Sequence, residues 1–438
     1  MKIINSSDTK QKMNQYESKY LVGDFKLNNK QNIAFSYMVQ GKNIFLTGPG
    51  GTGKSAIIKL FKKLYNSSKI IAMTSTTGTS ALLLNGTTLH SYLGIGTGDD
   101  TVEKLVDKIN KWKWLRNRWC NLQCLIIDEI SMLDPILFDK LENIARIIRK
   151  NSLVFGGIQL ILSGDFLQLP CVGTDKFCFQ AQSWELCIEH TIYLTDIIRQ
   201  GDSVFQNCLN NVRLGNITPE VYDILESCRG KVLNNSFGII PTKLYSTNYD
   251  VDRVNNIELD KLSQDGRQFY EYTMDIKLQG NNRLNVAEKY KKYCNASENL
   301  QLCEGAQVIL LKNLDLSNGL VNGSRGIVLS FIDDFPKVKF LNGMEIVITP
   351  ELWEIKENDK VVMYIEQIPL KVAYALSIHR GQGCTLDYVQ VDLSNIFEYG
   401  QGYVALSRVK NLSGLSIIDI IYEKIKAHPI AVEYYKNI

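Results

Sequence analysis

The chain has 438 residues, 45% of them hydrophobic and 22% charged, with 49 lysines and arginines against 46 aspartates and glutamates. This is an ordinary globular composition on a length that suits two to four domains, and it excludes a disordered, collagen-like or disulfide-stapled chain. A net charge of +3 is too small for a global field to attract nucleic acid, so any such site must be a local groove.

In chain order, residues 1–24 read as a flexible leader, without the apolar core of a secretory signal or an arginine-rich presequence bias. From residue 25 the texture becomes strands alternating with helices. "NIFLT" (43–47) is a short buried strand, and "SAIIKLFKKLY" after it spaces Ile57, Leu60, Phe61 and Leu64 as a helix does. "KIIAMTS", "LQCLIID" and "GIQLILS" are further buried strands. Short β-branched runs separated by helices predict a parallel sheet covered on both faces.

"NKWKWLRNRW" (110–119) mixes bases with tryptophans and admits two readings, helix packing with a solvated basic face or a nucleic-acid contact. "DPILFDKLENIARIIRK" (134–150) is a helix with Asp134 at the N-cap and Pro135 at its first position. A second strand set follows in "TKLYST", "YALSIH", "YVQVDL" and "LSIID". Between its members, over 300–366, short strands with Gly and Asn turns predict a small all-β insertion of barrel type.

No apolar run approaches the roughly 18 residues of a membrane helix. The ten cysteines are scattered without a CxxC pair, and the four histidines do not join them at zinc spacing. That usage fits reduced thiols in an intracellular, reducing compartment.

"GPGGTGKS" (48–55) carries the chemistry of the first half. Gly48, Pro49, Gly50, Gly51, Thr52 and Gly53 form a loop whose N–H groups face phosphate oxygens, and the following helix adds its positive dipole end. In this pattern Lys54 reaches the β and γ phosphates of a nucleoside triphosphate and the Ser55 hydroxyl completes a Mg²⁺ shell. "LIIDEIS" (125–131) places Asp128 at a strand's carboxyl end as the magnesium-side carboxylate, with Glu129 beside it to polarise the attacking water. "LSGDFLQLP" (162–170) ends the next strand, where Asp165 and Gln168 either approach the same phosphates or stabilise a turn. In the second half, Arg199 of "LTDIIRQ" and Arg408 of "GYVALSR" suit charge-sensing fingers from a facing lobe, although surface arginines at helix ends are commoner.

The series GPGGTGKS, TSTTGTSA, TTLHS, DEISML, GDFLQLP, RQ, STN, IHRGQGCTLD and YVALSR resembles the Pif-type (petite integration frequency) DNA helicases. These belong to helicase superfamily 1, in its 5′-to-3′ branch, with RecD and Dda as relatives. "ISMLDPILFDKLENIARIIRK" and "GLVNGSRGIV" resemble segments particular to the Pif group, and the resemblance spans about residues 26–436. It implies an α/β fold of two RecA-like P-loop NTPase lobes with a small 1B insertion and an SH3-like all-β 2B insertion. Lobe 1A would run over 25–198, with 1B at about 88–115. Lobe 2A would occupy 199–299 and 367–438, interrupted by 2B at 300–366.

The resemblance further implies that Gln31 recognises adenine and that Lys54, Ser55, Asp128, Glu129, Gln168, Arg199 and Arg408 hydrolyse ATP. Gln382 and Gly383 would link nucleotide to DNA. Thr76, Thr77, His90, Thr247, Asn248, His379 and Thr385 would lie near single-stranded DNA, where hydroxyls and backbone N–H groups suit phosphate contacts without sequence information. His90 and His379 also fit a packing role. The implied protein is a monomeric ATP-dependent DNA helicase acting on single-stranded and forked DNA in replication, repair, recombination or telomere maintenance. Cys171 of "LPCV", and Arg380 and Gly381 of "HRGQG", depart from the commoner "LPPV" and "HKSQG". The other readings are a catalytically silent nucleic-acid-binding protein, a RecD-like subunit of a larger complex, and an RNA helicase.

Overall fold

The computed structural model describes residues 27–233, 238–279, 294, 296–315, 318–320, 322–357, 360–382 and 385–438. The first lobe is built on β1 (Ile44–Thr47), β2 (Ile71–Ser75), β3 (Thr87–Thr88), β4 (Cys124–Asp128), β5 (Gln159–Gly164) and β6 (His190–Tyr193), ordered β3-β2-β4-β5-β1-β6. Every pairing in it is parallel. β1, β2, β4 and β5 are buried along their whole length. That is why they read as unbroken apolar runs rather than alternating ones. The helix Pro135–Arg149 starts where the sequence predicts, with the Asp134 carboxylate accepting from the Leu137 N–H at 2.9 Å.

The second parallel sheet begins with β7 (Thr242–Tyr245) and is then interrupted by antiparallel strands. These are β8 (Phe269–Thr273), β9 (Asp275–Leu278), β10 (Asn299–Cys303), β11 (Gln307–Leu310), β12 (Arg325–Ile332), β13 (Phe335–Phe340), β14 (Glu345–Val347), β15 (Glu351–Glu357), β16 (Lys360–Gln367) and β17 (Leu370–Val372). The chain then returns to the parallel sheet through β18 (Ala375–Ser377), β19 (Val389–Leu393) and β20 (Leu415–Ile420), in the order β18-β7-β19-β20. The antiparallel strands form a five-stranded sheet β14-β13-β12-β11-β17, a three-stranded sheet β15-β16-β9 and the pair β10-β8. The architecture is therefore α/β with two parallel-sheet lobes and an antiparallel insertion.

Three details differ from the sequence expectation. The antiparallel strands start at Phe269 and end at Val372, wider than 300–366. "FYEYTMDIKL" alternates weakly, and it becomes strand by pairing with segments far along the chain. Second, the helices Val102–Lys111 and Lys113–Asn121 send Leu105, Val106, Ile109, Leu115 and Trp119 into the core of the first lobe. Much of 88–115 thus packs as part of that lobe, and Trp119 donates its indole N–H to the Leu93 carbonyl at 3.1 Å. Third, the terminal helix Pro429–Lys436 crosses back to the first lobe: Ala431 joins that core and Tyr434 stacks on Phe179 at 4.1 Å.

Candidate nucleotide and nucleic-acid site

The loop after β1 turns on glycines at positions where a side chain would be strained or would clash. A Cβ on Gly48 (φ 138°) would sit 2.2 Å from the Leu194 carbonyl oxygen. Gly53 (φ 86°) is the left-handed residue from which the helix Lys54–Tyr65 starts. Lys54 bends back, donating to the carbonyls of Gly48 at 2.6 Å and Pro49 at 2.9 Å. The Thr52 hydroxyl donates to the Pro49 carbonyl at 3.0 Å. The Gly50 N–H donates to the Tyr403 hydroxyl of the second lobe at 2.9 Å. Ser55 is exposed on the first helical turn. Buried Gln31 donates from Nε2 to the Thr52 carbonyl at 3.0 Å, and its Oε1 accepts the Asn28 N–H at 2.9 Å in a capping box. The glutamine and the loop are thereby locked together.

Two buried carboxylates and one half-buried one converge on Lys54. Asp128 ends β4, Glu129 follows it in a left-handed conformation (φ 55°), and Asp165 follows β5. Burial pushes Asp128 upward against the opposing pull of hydrogen bonds, Lys54 and the Ser55 hydroxyl. Burial, then repulsion from Asp128, raises Glu129 to about 7, against attraction to Lys54 and Arg408. Burial lowers Lys54, although all three carboxylates oppose it. Asp165 is also buried, yet Arg213, aided by Lys54 and the Leu167 N–H, more than offsets the burial and holds it below the usual range. Arg213 grips it with two bonds, Nη2 to Oδ1 at 2.7 Å and Nε to Oδ2 at 2.9 Å. Gln168 faces the same carboxylate at 3.4 Å. Asp165 thus bonds Arg213 and Gln168 while also lying close enough to Lys54 to act on its charge.

The second lobe reaches into this cluster. Gln382 donates from Nε2 to Glu129 Oε2 at 3.0 Å. Arg408 is 2% exposed and donates from Nε to the Val404 carbonyl at 2.7 Å and from Nη2 to the Ser407 hydroxyl at 2.6 Å. Arg199 donates to the Ser407 carbonyl at 3.3 Å, and Gln200 donates to the carbonyls of Ser407 at 3.3 Å and Val409 at 3.1 Å. Both arginines of the sequence reading thus meet at one turn beside the loop. Gly383 lies outside the described residues.

Thr76, Thr77 and His90 follow the carboxyl ends of β2 and β3 on the first lobe. Thr76 donates its hydroxyl to the Glu129 carbonyl at 2.9 Å, and Thr77 accepts from the Ser80 N–H at 3.2 Å. Burial lowers the His90 pKa. Thr247, Asn248 and His379 follow β7 and β18 on the second lobe, and Thr385 is exposed near them in sequence. Thr247 caps the helix Asn248–Gln264, and His379 Nε2 lies 3.2 Å from Glu398 Oε2.

Sequence reasoning missed Arg213, the Tyr403 hydroxyl and Tyr435. The Tyr435 hydroxyl lies 2.5 Å from Thr47 Oγ1 and accepts the Phe166 N–H at 3.1 Å, while its ring lies 4.8 Å from the Arg213 guanidinium. No local spacing announces such contacts; only "GYVALSR" placed Tyr403 in a marked segment.

Comparison with known proteins gives this geometry a family. Residues 26–222 match the model for PIF1-like helicases, and residues 287–331 match that for the 2B domain of DNA helicase Pif1. The chain is 39% identical to the ATP-dependent DNA helicase PIF1 of Xenopus laevis over 94% of its own length and 64% of that protein's. It therefore spans somewhat under two thirds of that curated relative. The crystal structure of Pif1 helicase from Candida albicans superposes with a TM-score of 0.81 at 37% identity, covering 94% of this chain and 99% of that one. A Bacteroides Pif1 in complex with ADP-AlF3 and single-stranded DNA superposes with a TM-score of 0.68 at 27% identity, covering 94% and 97%. With nine motifs in order, two lobes around one phosphate loop and a match over nearly the whole chain, this protein belongs to the PIF1-like helicase family.

Proposed function

We propose that the chain is an ATP-dependent DNA helicase that moves 5′-to-3′ on single-stranded DNA and opens forked duplex, inside the cell and as a monomer. The observation that carries the reading is the reach of the second lobe into the phosphate loop of the first: Tyr403 on Gly50, Gln382 on Glu129, and Arg408 beside both. A nucleotide held between two lobes couples its hydrolysis to their movement. The relatives point the same way, being ATP-dependent DNA helicases or Pif1 bound to a nucleotide analogue and single-stranded DNA.

The residues fit a magnesium ion. Asp128 and Glu129 are both pushed up in a cluster short of positive charge, and the Ser55 hydroxyl is within hydrogen-bonding reach of Asp128. Ser55 and Asp128 would hold Mg²⁺, which supplies charge neutralisation on the β and γ phosphates. Lys54 exchanges two loop carbonyls for phosphate oxygens, and the Gly50 N–H exchanges the Tyr403 hydroxyl. Glu129 takes the proton of the attacking water as general base. Gln382 holds that carboxylate from the second lobe, so lobe movement at the DNA sets the base's availability. Arg199 and Arg408 stabilise the charge developing on the transferred phosphoryl group, a contribution of about 10³–10⁵ in rate.

The test is ATP turnover with and without single-stranded DNA in the wild type and Lys54→Ala. The expected result is DNA-stimulated turnover that the variant abolishes while single-strand binding stays measurable. Wild-type-like turnover in Lys54→Ala sinks the assignment.

A further inference from the structure

The parallel strands of the second lobe present their carboxyl ends at one edge, and two aromatic rings stand exposed there. Ser377 of β18 pairs with Tyr245 of β7, both at their strand ends, and Val391 of β19 pairs with Leu244 of β7, two residues before β19 ends at Leu393. The segments leaving them carry His379, then Asn248 and Tyr249, then Phe397. Tyr249 is 77% exposed on the first turn of the helix Asn248–Gln264, and Phe397 is 66% exposed in the loop after β19. Single exposed apolar residues are common, but this loop is unusually well held. The N–H groups of Phe397 and Glu398 both donate to Oε1 of the fully buried Gln401, at 2.9 and 3.3 Å. Glu398 meets His379 at 3.2 Å. At the loop's end, a Cβ on Gly400 would lie 2.6 Å or less from the carbonyls of Leu167 and Gln168 in the first lobe. The backbone is thus pinned at the seam between the lobes while the Phe397 ring is left in water.

We infer that Phe397 and Tyr249 are base-stacking platforms on the DNA track, against which unpaired nucleobases lie as the strand passes between the lobes. The inference rests on the proposed single-stranded DNA reading and adds to it the groups that hold bases rather than phosphates. Open parallel sheets bind ligands outside their strands' carboxyl ends, and this edge carries those ends together with the lobe seam. Stacking suits a motor indifferent to sequence, because every base has a π-face. Pinning the loop lowers the ordering cost of binding.

The test compares the full chain with Phe397→Ala, Tyr249→Ala and Phe397→Trp, titrating a labelled oligothymidylate of about sixteen nucleotides and an abasic oligomer of equal length. Each alanine variant is expected to weaken oligothymidylate binding about 5- to 100-fold. Binding of the abasic oligomer should stay unchanged, and Phe397→Trp should restore wild-type affinity. Both side chains are exposed, so thermal melts of the variants should match the wild type. Undiminished affinity for oligothymidylate in both alanine variants overturns the inference, as does an equal loss on the abasic oligomer. If the wild type binds neither oligomer, the DNA reading itself fails and this inference with it.

Discussion

β4 and β5 are neighbours in one sheet, and the carboxylates that follow them, half-buried Glu129 and fully buried Asp165, live under opposite conditions. Asp165, after β5, is gripped by both arms of Arg213 and held ionised. Glu129, after β4, has one neutral donor in Gln382, a like charge in Asp128 beside it, and a pKa near 7. A buried charge must be paired or neutralised, and the two strand ends follow the two routes. The paired end is a fixed anchor. The underpaired end is poised to exchange a proton near neutral pH and has an unmet demand for positive charge, as a general base beside a metal-nucleotide site should. Neighbouring positions in a sheet are thus divided between architecture and chemistry by the placement of one arginine 48 positions further along the chain.

Breaking the paired end carries the largest expected effect. Arg213→Met leaves Asp165 buried and unpaired, and should cost about 3–5 kcal/mol of stability in denaturant unfolding. The double variant Asp165→Leu/Arg213→Met removes both charges and should recover most of that loss. A double variant as unstable as the single one would mean that Arg213 acts mainly through Tyr193 and Tyr435, which it also contacts.

The underpaired end should behave in the reverse sense. Burial and Asp128 raise Glu129, so its ionisation opposes folding, and the cost appears as pH rises from about 4.5 toward 7. Glu129→Gln should therefore melt about 2–4 °C higher than wild type at pH 8 and level with it at pH 5. In the wild type, kcat/KM for ATP should rise through about pH 7 as the base ionises. A pH-independent difference in melting would place the stabilisation elsewhere.

A smaller effect is expected at the loop. The Tyr403 hydroxyl occupies the Gly50 N–H, so Tyr403→Phe should leave the affinity for a non-hydrolysable ATP analogue unchanged or raise it by up to about tenfold. Weaker binding in calorimetric titration would show that the hydroxyl touches the nucleotide instead.

Local signals made much of this legible. Apolar runs marked β1, β2, β4 and β5, where full burial leaves no alternation to confuse them, alternating runs marked the half-buried β7 and β19, and Asp134-Pro135 marked a helix start. The glycine loop, Asp128-Glu129 and "GYVALSR" located the cleft. The rest was illegible because it depends on partners distant in sequence. Arg213 reads as an unremarkable helix-end base in "NNVRLGN" until the fold sets it against Asp165. "AVEYYKNI" has an apolar stripe that could cover either lobe, and only packing against Phe179 and Thr47 directs it to the first. For 110–119 the sequence leaves helix packing and a nucleic-acid contact both open, and the tertiary fold has Leu115 and Trp119 buried in the core while Trp112 stays 52% exposed.

The central claim is that ATP hydrolysed between the lobes drives strand separation. Its most direct test is unwinding of forked duplexes bearing only a 5′ or only a 3′ single-stranded tail, with magnesium-ATP, beside Glu129→Gln. The account predicts that the wild type opens the 5′-tailed duplex alone and that the variant opens neither. Wild-type opening of neither duplex, or unwinding that persists in Glu129→Gln, would contradict it.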